Sequence, residues 1–260
     1  MEKSLMAATF SIAPVGAFSD NYIWVLSQDA RAVAVDPGDA APLLRHLESE
    51  KLALEAILIT HHHADHCGGL TELLQVWPDT PVYGPAGIPG ISHPVREGDV
   101  IALGMGQASV LEVPGHTLDH LAYLIEDVLF CGDTLFAAGC GRVFEGTPWQ
   151  MLASLKKLAR LPPQTKVYPA HEYTLSNLRF ALAADQHNPI LAMRLSRDSA
   201  LRQRGLPTLP STIALETASN PFLRSGEPAL RKTLEPRGGK SGDSEEACFA
   251  RLREWKNDFR

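Results

Sequence analysis

The sequence predicts an α/β layered sandwich followed by a helical unit. Three observations carry that expectation. Short apolar or alternating runs recur through the first two-thirds of the 260 residues, helical patterns lie between some of them, and after Tyr173 the strand-like texture gives way to helical periodicity. With 45% hydrophobic residues, the chain can bury one sizeable core and add a smaller second unit.

Taken in order, ATFSIAP, YIWVL, AVAVD, AILIT, ASVLEV, LAYLI, VLFCG and KVYPA read as strands. Helices are expected over APLLRHLESE (41–50), GLTELLQVW (69–77) and PWQMLASLKKLARL (148–161), the last with Pro148 near its start. That mixture suits a layered sandwich better than a strict βαβ alternation. From about residue 174, SNLRFALAADQ and ILAMRLSRDSALRQRG are helical in period, and no further strand is expected. PRGGKSGDS (236–244) reads as a loop, and EEACFARLREWKNDF as a closing amphipathic helix. The expected division is therefore 1–173 and 174–260. No internal repeat is visible.

A formal net charge of −6 argues against a nucleic-acid binder, which would present a basic domain. The four cysteines, Cys67, Cys131, Cys140 and Cys248, form no CxxC pair and are too few for a disulfide framework in a chain this long. They point to a reducing compartment. Leu5 to Phe18 runs without a charge and superficially imitates a signal peptide, but Pro14 and Gly16 interrupt it and SDNYIWVL continues a strand-and-turn pattern. A cytoplasmic protein is expected, and a monomer. No run approaches the ~18 apolar residues of a membrane span.

The chemistry gathers at ITHHHADHCGG (59–69), where four histidines and an aspartate follow an apolar run and precede two glycines. Imidazoles and a carboxylate make a poor core, because they lose hydration on burial and need partners. In His61-x-His63-x-Asp65-His66 the donor types are those a borderline transition metal takes. An extended segment would point His61 and His63 one way, and Asp65 and His66, after a bend, could face a neighbouring site. One loop could then serve two metals, given ligands from elsewhere. Three candidates stand at strand ends in the same grammar of strand, small residue, ligand: Gly115-His116-Thr117, Gly132-Asp133-Thr134 and Ala170-His171-Glu172.

THHHADHCGG, GHT, GDT and AHEYT together resemble the metallo-β-lactamase superfamily, with its αβ/βα sandwich and a metal centre at one sheet edge. Within it, SDNYIWVL, VDPG, CGDTLFAAGCGR, HEYTLSNLRFA and RLREWKNDF resemble the glyoxalase II (hydroxyacylglutathione hydrolase) family along essentially the whole chain. The resemblance implies His61, His63 and His116 on one metal and Asp65, His66 and His171 on a second, with Asp133 and a water bridging both. Two divalent transition-metal ions are implied, zinc by default, with iron or manganese able to compete. It further implies that Arg253 and Lys256 grip the glycine carboxylate of a glutathione moiety, aided by Tyr173 and by a basic residue at Arg142. Arg142 stands where lysine is usual in many members, and Phe144 where tyrosine often appears, so a hydroxyl contact at 144 is lost or supplied elsewhere.

Residues 220–260 hold nine Lys/Arg against seven Asp/Glu, in keeping with an anionic ligand, although a solvated helix face is the plainer reading of Arg253 and Lys256 by periodicity alone. The implied activity is hydrolysis of S-(2-hydroxyacyl)glutathione, chiefly the lactoyl form, by hydroxide held between the metals, with Asp65 and Asp133 orienting the nucleophile. A persulfide dioxygenase with one iron is the alternative of different chemistry. A tRNA-processing nuclease would want a basic arm, and a non-enzymatic metal binder would be missing a ligand position. His62 is expected to point away from its neighbours, and His46, His93 and His187 to be surface or packing residues. His120 and Asp36 are open between supporting a ligand and serving packing or a turn. Cys67 and Cys131 are read as core filling.

Overall fold

A computed structural model of the chain describes residues 10–259. Positions 8 and 9 of the first expected strand, and 5–9 of the uncharged N-terminal run, lie outside the described residues. Contacts divide the described residues into two compact units, one of residues 10–111 and 121–130, the other of residues 112–120 and 131–259.

The first unit opens with β1 (Ser11–Ala17), β2 (Asn21–Gln28) and β3 (Arg31–Val35), then α1 (Ala40–Glu50), β4 (Ala53–Leu58), α2 (Ala64–Cys67), α3 (Leu70–Val76), β5 (Val82–Gly84) and β6 (His93–Pro94). The six strands form one sheet in sequence order, antiparallel from β1 to β3 and parallel from β3 to β6. Their inward residues Val15, Ile23, Val25, Ile57 and Val82 pack with Leu43 and Leu47 of α1 and Leu70 and Leu73 of α3. Leu43 and Leu47, four apart, share one helix face, as the sequence pattern requires. Asp39 caps α1 by accepting from the Ala41 N–H at 3.0 Å, and Lys51 ends it in a left-handed turn.

β7 (Val100–Leu103), β8 (Gly106–Glu112), β9 (Leu121–Ile125) and β10 (Val128–Gly132) follow, neighbours in that order in a second sheet. The ITHHHADHCGG segment leaves the carboxyl end of the parallel strand β4, the end at which ligands gather in open α/β sheets. The N–H of Leu121 in β9 donates to Thr60 O at 2.8 Å, and the Tyr123 hydroxyl donates to Ile59 O at 2.6 Å, fixing the start of that segment.

In the second unit, β11 (Leu135–Phe136) and β12 (Gly139–Cys140) make a short antiparallel pair. α4 (Pro148–Leu158) starts with a reciprocal cap between Thr147 and Gln150. β13 (Lys166–Pro169) pairs with β14 (Ser211–Thr212), and the Ala170 N–H donates to Gly132 O at the end of β10. The helices α5 (Thr174–Ala184), α6 (Pro189–Gln203), α7 (Ile213–Ser219), α8 (Pro228–Leu234) and α9 (Glu245–Asp258) complete the unit. Phe180, Phe222 and Phe249 join α5 and α9 through ring contacts at 5.7–5.8 Å.

Four differences from the sequence reading stand out. β14 is a strand beyond residue 174, too short to leave a pattern. α7 and α8 carry only seven residues each and show no full amphipathic period. The bend at Asp65 and His66 is a single helical turn. Two of the tail helices, α6 and α7, bury a polar cluster of Arg194, Asp198 and Glu216, with Arg194 bonded to Glu216. Among the described residues no helix is long and apolar enough to cross a membrane.

Candidate metal centre and ligand pocket

In the first unit the ligand loop is built around Asp36, at the end of β3. Its Oδ2 accepts from His66 Nδ1 at 3.0 Å and from the Thr60 hydroxyl at 2.7 Å, and its Oδ1 accepts from the Thr60 N–H at 2.7 Å. That pairing leaves Nε2 of His66 as the lone-pair nitrogen for a metal. Asp36 therefore orients the His66 imidazole as well as shaping the VDPG turn. Close approach explains the glycines: a Cβ on Gly38 would stand 1.9 Å from Asp65 O, and one on Gly69 would stand 2.4 Å from Pro37 O. The two loops can lock together only if both positions lack a side chain.

His61 Nε2 and His63 Nδ1 converge to 3.0 Å, and His66 Nε2 lies 3.5 Å from Asp65 Oδ2. Asn21, from β2, donates to Asp65 Oδ2 at 3.0 Å. His61 and His66 are buried, whereas His62 is exposed, as alternation along the segment predicts. His93 and His187 are exposed and His46 is half-buried.

In the second unit Asp133 stands between two imidazoles. Its Oδ2 is 3.4 Å from His116 Nε2 and its Oδ1 is 3.3 Å from His171 Nε2. Two donors on one tetrahedral ion, each about 2.0–2.2 Å from it, stand about 3.3–3.6 Å apart. Both Asp133 pairs and the Asp65–His66 pair have this spacing, and each Asp133 oxygen faces a different histidine. The donor chemistry and separations therefore fit divalent transition metals. His116 Nδ1 donates to Arg142 O at 2.7 Å, directing its Nε2 to Asp133. His120 is wholly buried and its Nε2 accepts the Asp133 N–H at 3.1 Å, so it holds the Asp133 backbone. A Cβ on Gly141 would meet Asp133 O at 1.9 Å, which is why GCG closes against GDT.

Tyr173 stacks flat on His171 with centroids 4.7 Å apart, and Phe136 meets both rings edge-on. Phe144 is exposed, lies edge-on to His116 at 5.2 Å, and has the Arg142 guanidinium over its ring. A cavity of about 260 Å³ is lined by Arg142, Tyr173, Ser176, Arg253, Lys256 and their neighbours. Phe144 is not among its walls. The volume is near the lower end for ligand pockets, enough for part of a small molecule, and three of its side chains are cationic. Lys256 is half-buried and its ammonium reaches the Ser176 hydroxyl at 3.3 Å. Burial first, and then the nearby Arg253 charge, hold its pKa below the ordinary lysine value. Burial likewise pushes the Cys131 and Cys140 thiols up, which makes them poor nucleophiles at neutral pH.

The sequence does not single out Asn21 or Thr60 in support of the site. Each acts through hydrogen bonds to residues distant in the chain, without a local motif to mark it.

A fold of two six-stranded sheets with histidine and aspartate clusters at strand ends defines a metallo-β-lactamase superfamily member, and residues 16–171 match that superfamily's model. Residues 172–259 match the model described as hydroxyacylglutathione hydrolase C-terminus. The chain belongs to the hydroxyacylglutathione hydrolase family, a family of thioester hydrolases. It is 51% identical over 252 residues to hydroxyacylglutathione hydrolase of Photobacterium profundum, covering 96% of this chain and 99% of that one. Against the enzyme of the same name from Nitrosomonas europaea it is 49% identical over 255 residues, covering 96% and 97%. Among solved structures it is similar to ETHE1 from Myxococcus xanthus, with 27% identity, a TM-score of 0.64, and coverage of 94% of this chain and 89% of that one. TTHA1623 in a di-iron-bound form is also 27% identical, with a TM-score of 0.59 and coverage of 82% and 100%.

Proposed function

We propose that the chain hydrolyses the thioester of S-(2-hydroxyacyl)glutathione, chiefly S-lactoylglutathione, releasing glutathione and a 2-hydroxy acid. The observation that carries this reading is the cavity whose walls bring Arg142, Arg253 and Lys256 together beside Tyr173, a setting for a carboxylate-bearing thiol carrier. Support comes from relatives of that name matching at about half identity over nearly the whole chain.

His61, His63 and His116 would hold one ion and Asp65, His66 and His171 the other, with Asp133 available to both. Two divalent ions held there, zinc by preference, would supply Lewis acidity and lower the pKa of a water toward neutral pH. The solved di-iron relative supports two ions in this fold. Asp36 and Arg142 O hold two of the ligand imidazoles in the tautomer that presents Nε2. Asn21 turns Asp65, and His120 fixes the Asp133 backbone. Asp65 and Asp133 orient the nucleophile, while Arg253 and Lys256 grip the glutathione carboxylate with help from Arg142 and Tyr173. Phe144 gives an apolar edge against His116 and supplies no hydroxyl. The leaving thiol, with a pKa near 8.5 by analogy with cysteine, departs as thiolate with little help from a general acid.

In this reading residues 1–173 form the metal-binding catalytic domain and 174–260 the helical glutathione-binding domain of a cytoplasmic monomer that engages neither nucleic acid nor membrane. The test is thiol release from S-lactoylglutathione by metal-loaded protein, run beside oxygen uptake with glutathione persulfide. Thiol release without oxygen uptake is expected. Oxygen uptake without thiol release would replace the hydrolase by a persulfide dioxygenase.

A further inference from the structure

The peptide from Phe136 to Arg142 is held almost group by group by side chains from elsewhere in its unit. Asn220 donates to Phe136 O at 3.1 Å and to Gly139 O at 2.8 Å, and Asn177 donates to Ala137 O at 3.1 Å. Glu216 accepts the Ala138 N–H at 2.8 Å, at a residue whose φ of 54° is left-handed. Arg253 takes the next two carbonyls, Cys140 O at 2.7 Å and Gly141 O at 3.4 Å, both through Nη1. The carbonyl after those, Arg142 O, accepts from His116 Nδ1 at 2.7 Å.

Such anchoring fixes a segment that would otherwise be short, glycine-containing and free to shift. A sideways shift of Arg142 O would turn the His116 imidazole with it, because the N–H···O bond between them prefers an angle above about 150°. Arg253 is only 8% exposed, and its guanidinium lies 5.0 Å from the Phe222 ring, so it is fixed as well as charged. Lys256, one turn further on the same helix, makes its hydrogen bond to the exposed Ser176 hydroxyl and touches no carbonyl of this segment. Two of the pocket's three cations, Arg253 and Lys256, are thus built differently.

We propose that Arg253 is a positioning residue for His116: by holding the Cys140 and Gly141 carbonyls, it sets the Arg142 carbonyl that aims the His116 ring at its metal. The assignment rests on the reading of His116 as a ligand. It adds to the grip on the substrate carboxylate and is separable from it.

The experiment compares Arg253→Lys and Lys256→Ala in metal-loaded protein, reading zinc affinity by competition with a chromogenic chelator, and kcat and KM on S-lactoylglutathione and on a short thioester lacking glutathione. Loss of a group that orients a metal ligand costs about 10- to 100-fold in metal affinity or activity. Arg253→Lys is expected to show that loss in zinc affinity and an equal fall in kcat on both thioesters. Lys256→Ala is expected to raise KM for S-lactoylglutathione and leave zinc affinity unchanged. Wild-type zinc affinity in Arg253→Lys would overturn the positioning role, whatever happened to KM. If zinc affinity fell while KM for S-lactoylglutathione stayed unchanged in both variants, the positioning role would stand and the glutathione reading would fail. Should Arg253→Lys not fold, Arg253→Gln, which keeps an amide donor for one carbonyl, carries the same test with the same two outcomes.

Discussion

Asp36→Asn is nearly isosteric and should nevertheless weaken metal binding sharply. In the native site both carboxylate oxygens are acceptors, Oδ1 for the Thr60 N–H and Oδ2 for the Thr60 hydroxyl and His66 Nδ1. An amide has one acceptor end and one donor end. If its NH₂ turns toward His66, that imidazole must accept at Nδ1 and carry its proton on Nε2, the nitrogen needed by the metal. If it turns toward the Thr60 N–H, two donors meet in a site that is almost fully buried. The second arrangement leaves a buried donor unsatisfied, at about 1–3 kcal/mol. The first withdraws a ligand nitrogen, at about 10- to 100-fold in metal affinity. Since 1.4 kcal/mol is a factor of ten, the two costs are comparable, and neither orientation escapes. Chelator competition measures the affinity and thermal unfolding of metal-free protein measures the stability. Wild-type values for both in Asp36→Asn would refute the reasoning.

Asp133→Ala removes the carboxylate that faces both His116 and His171, and hydrolysis should fall by about 10²–10³ or more, read from steady-state turnover at saturating metal. Lys256→Ala should raise KM for S-lactoylglutathione about ten- to hundredfold with kcat little changed, less so at high salt, since charge-assisted bonds contribute roughly 1.5–3 kcal/mol. Only protonated Lys256 attracts a carboxylate, and its pKa is already depressed by burial and by Arg253, so KM should rise with pH through a value below that of ordinary lysine and be flat beneath it. A KM independent of pH across that range would count against Lys256 as the contact. Glu216→Ala removes the nearest carboxylate of buried Arg194, leaving it Asp198 at 3.7 Å, and should cost up to about 3–5 kcal/mol in urea unfolding, the range for breaking a buried ion pair.

What the sequence made legible follows from how local each signal is. The HHHADHCGG loop, GHT and GDT are contiguous, and each ends a strand whose branched residues announce it. Helices α1, α4 and α9 carry enough turns for periodicity and caps to show. Asp36 stayed open between two roles because its partners His66 and Thr60 lie 30 and 24 residues away and only folding unites them. Glu216 and Asn220 serve a hairpin 78 to 84 residues earlier, a relation that leaves no local pattern. Arg253 and Lys256 look alike on a helix face, yet one is buried against backbone carbonyls and the other reaches outward, because tertiary packing and not spacing decides depth.

The measurement that bears most directly on a two-metal thioester hydrolase is a zinc titration of metal-free protein in which bound metal and S-lactoylglutathione hydrolysis are read on the same samples. Seven nitrogen and oxygen ligands with Asp133 shared predict two bound ions per chain and activity that reaches its plateau only as the second is taken up. Full activity with one ion per chain, or two ions bound with no release of glutathione, would contradict the account.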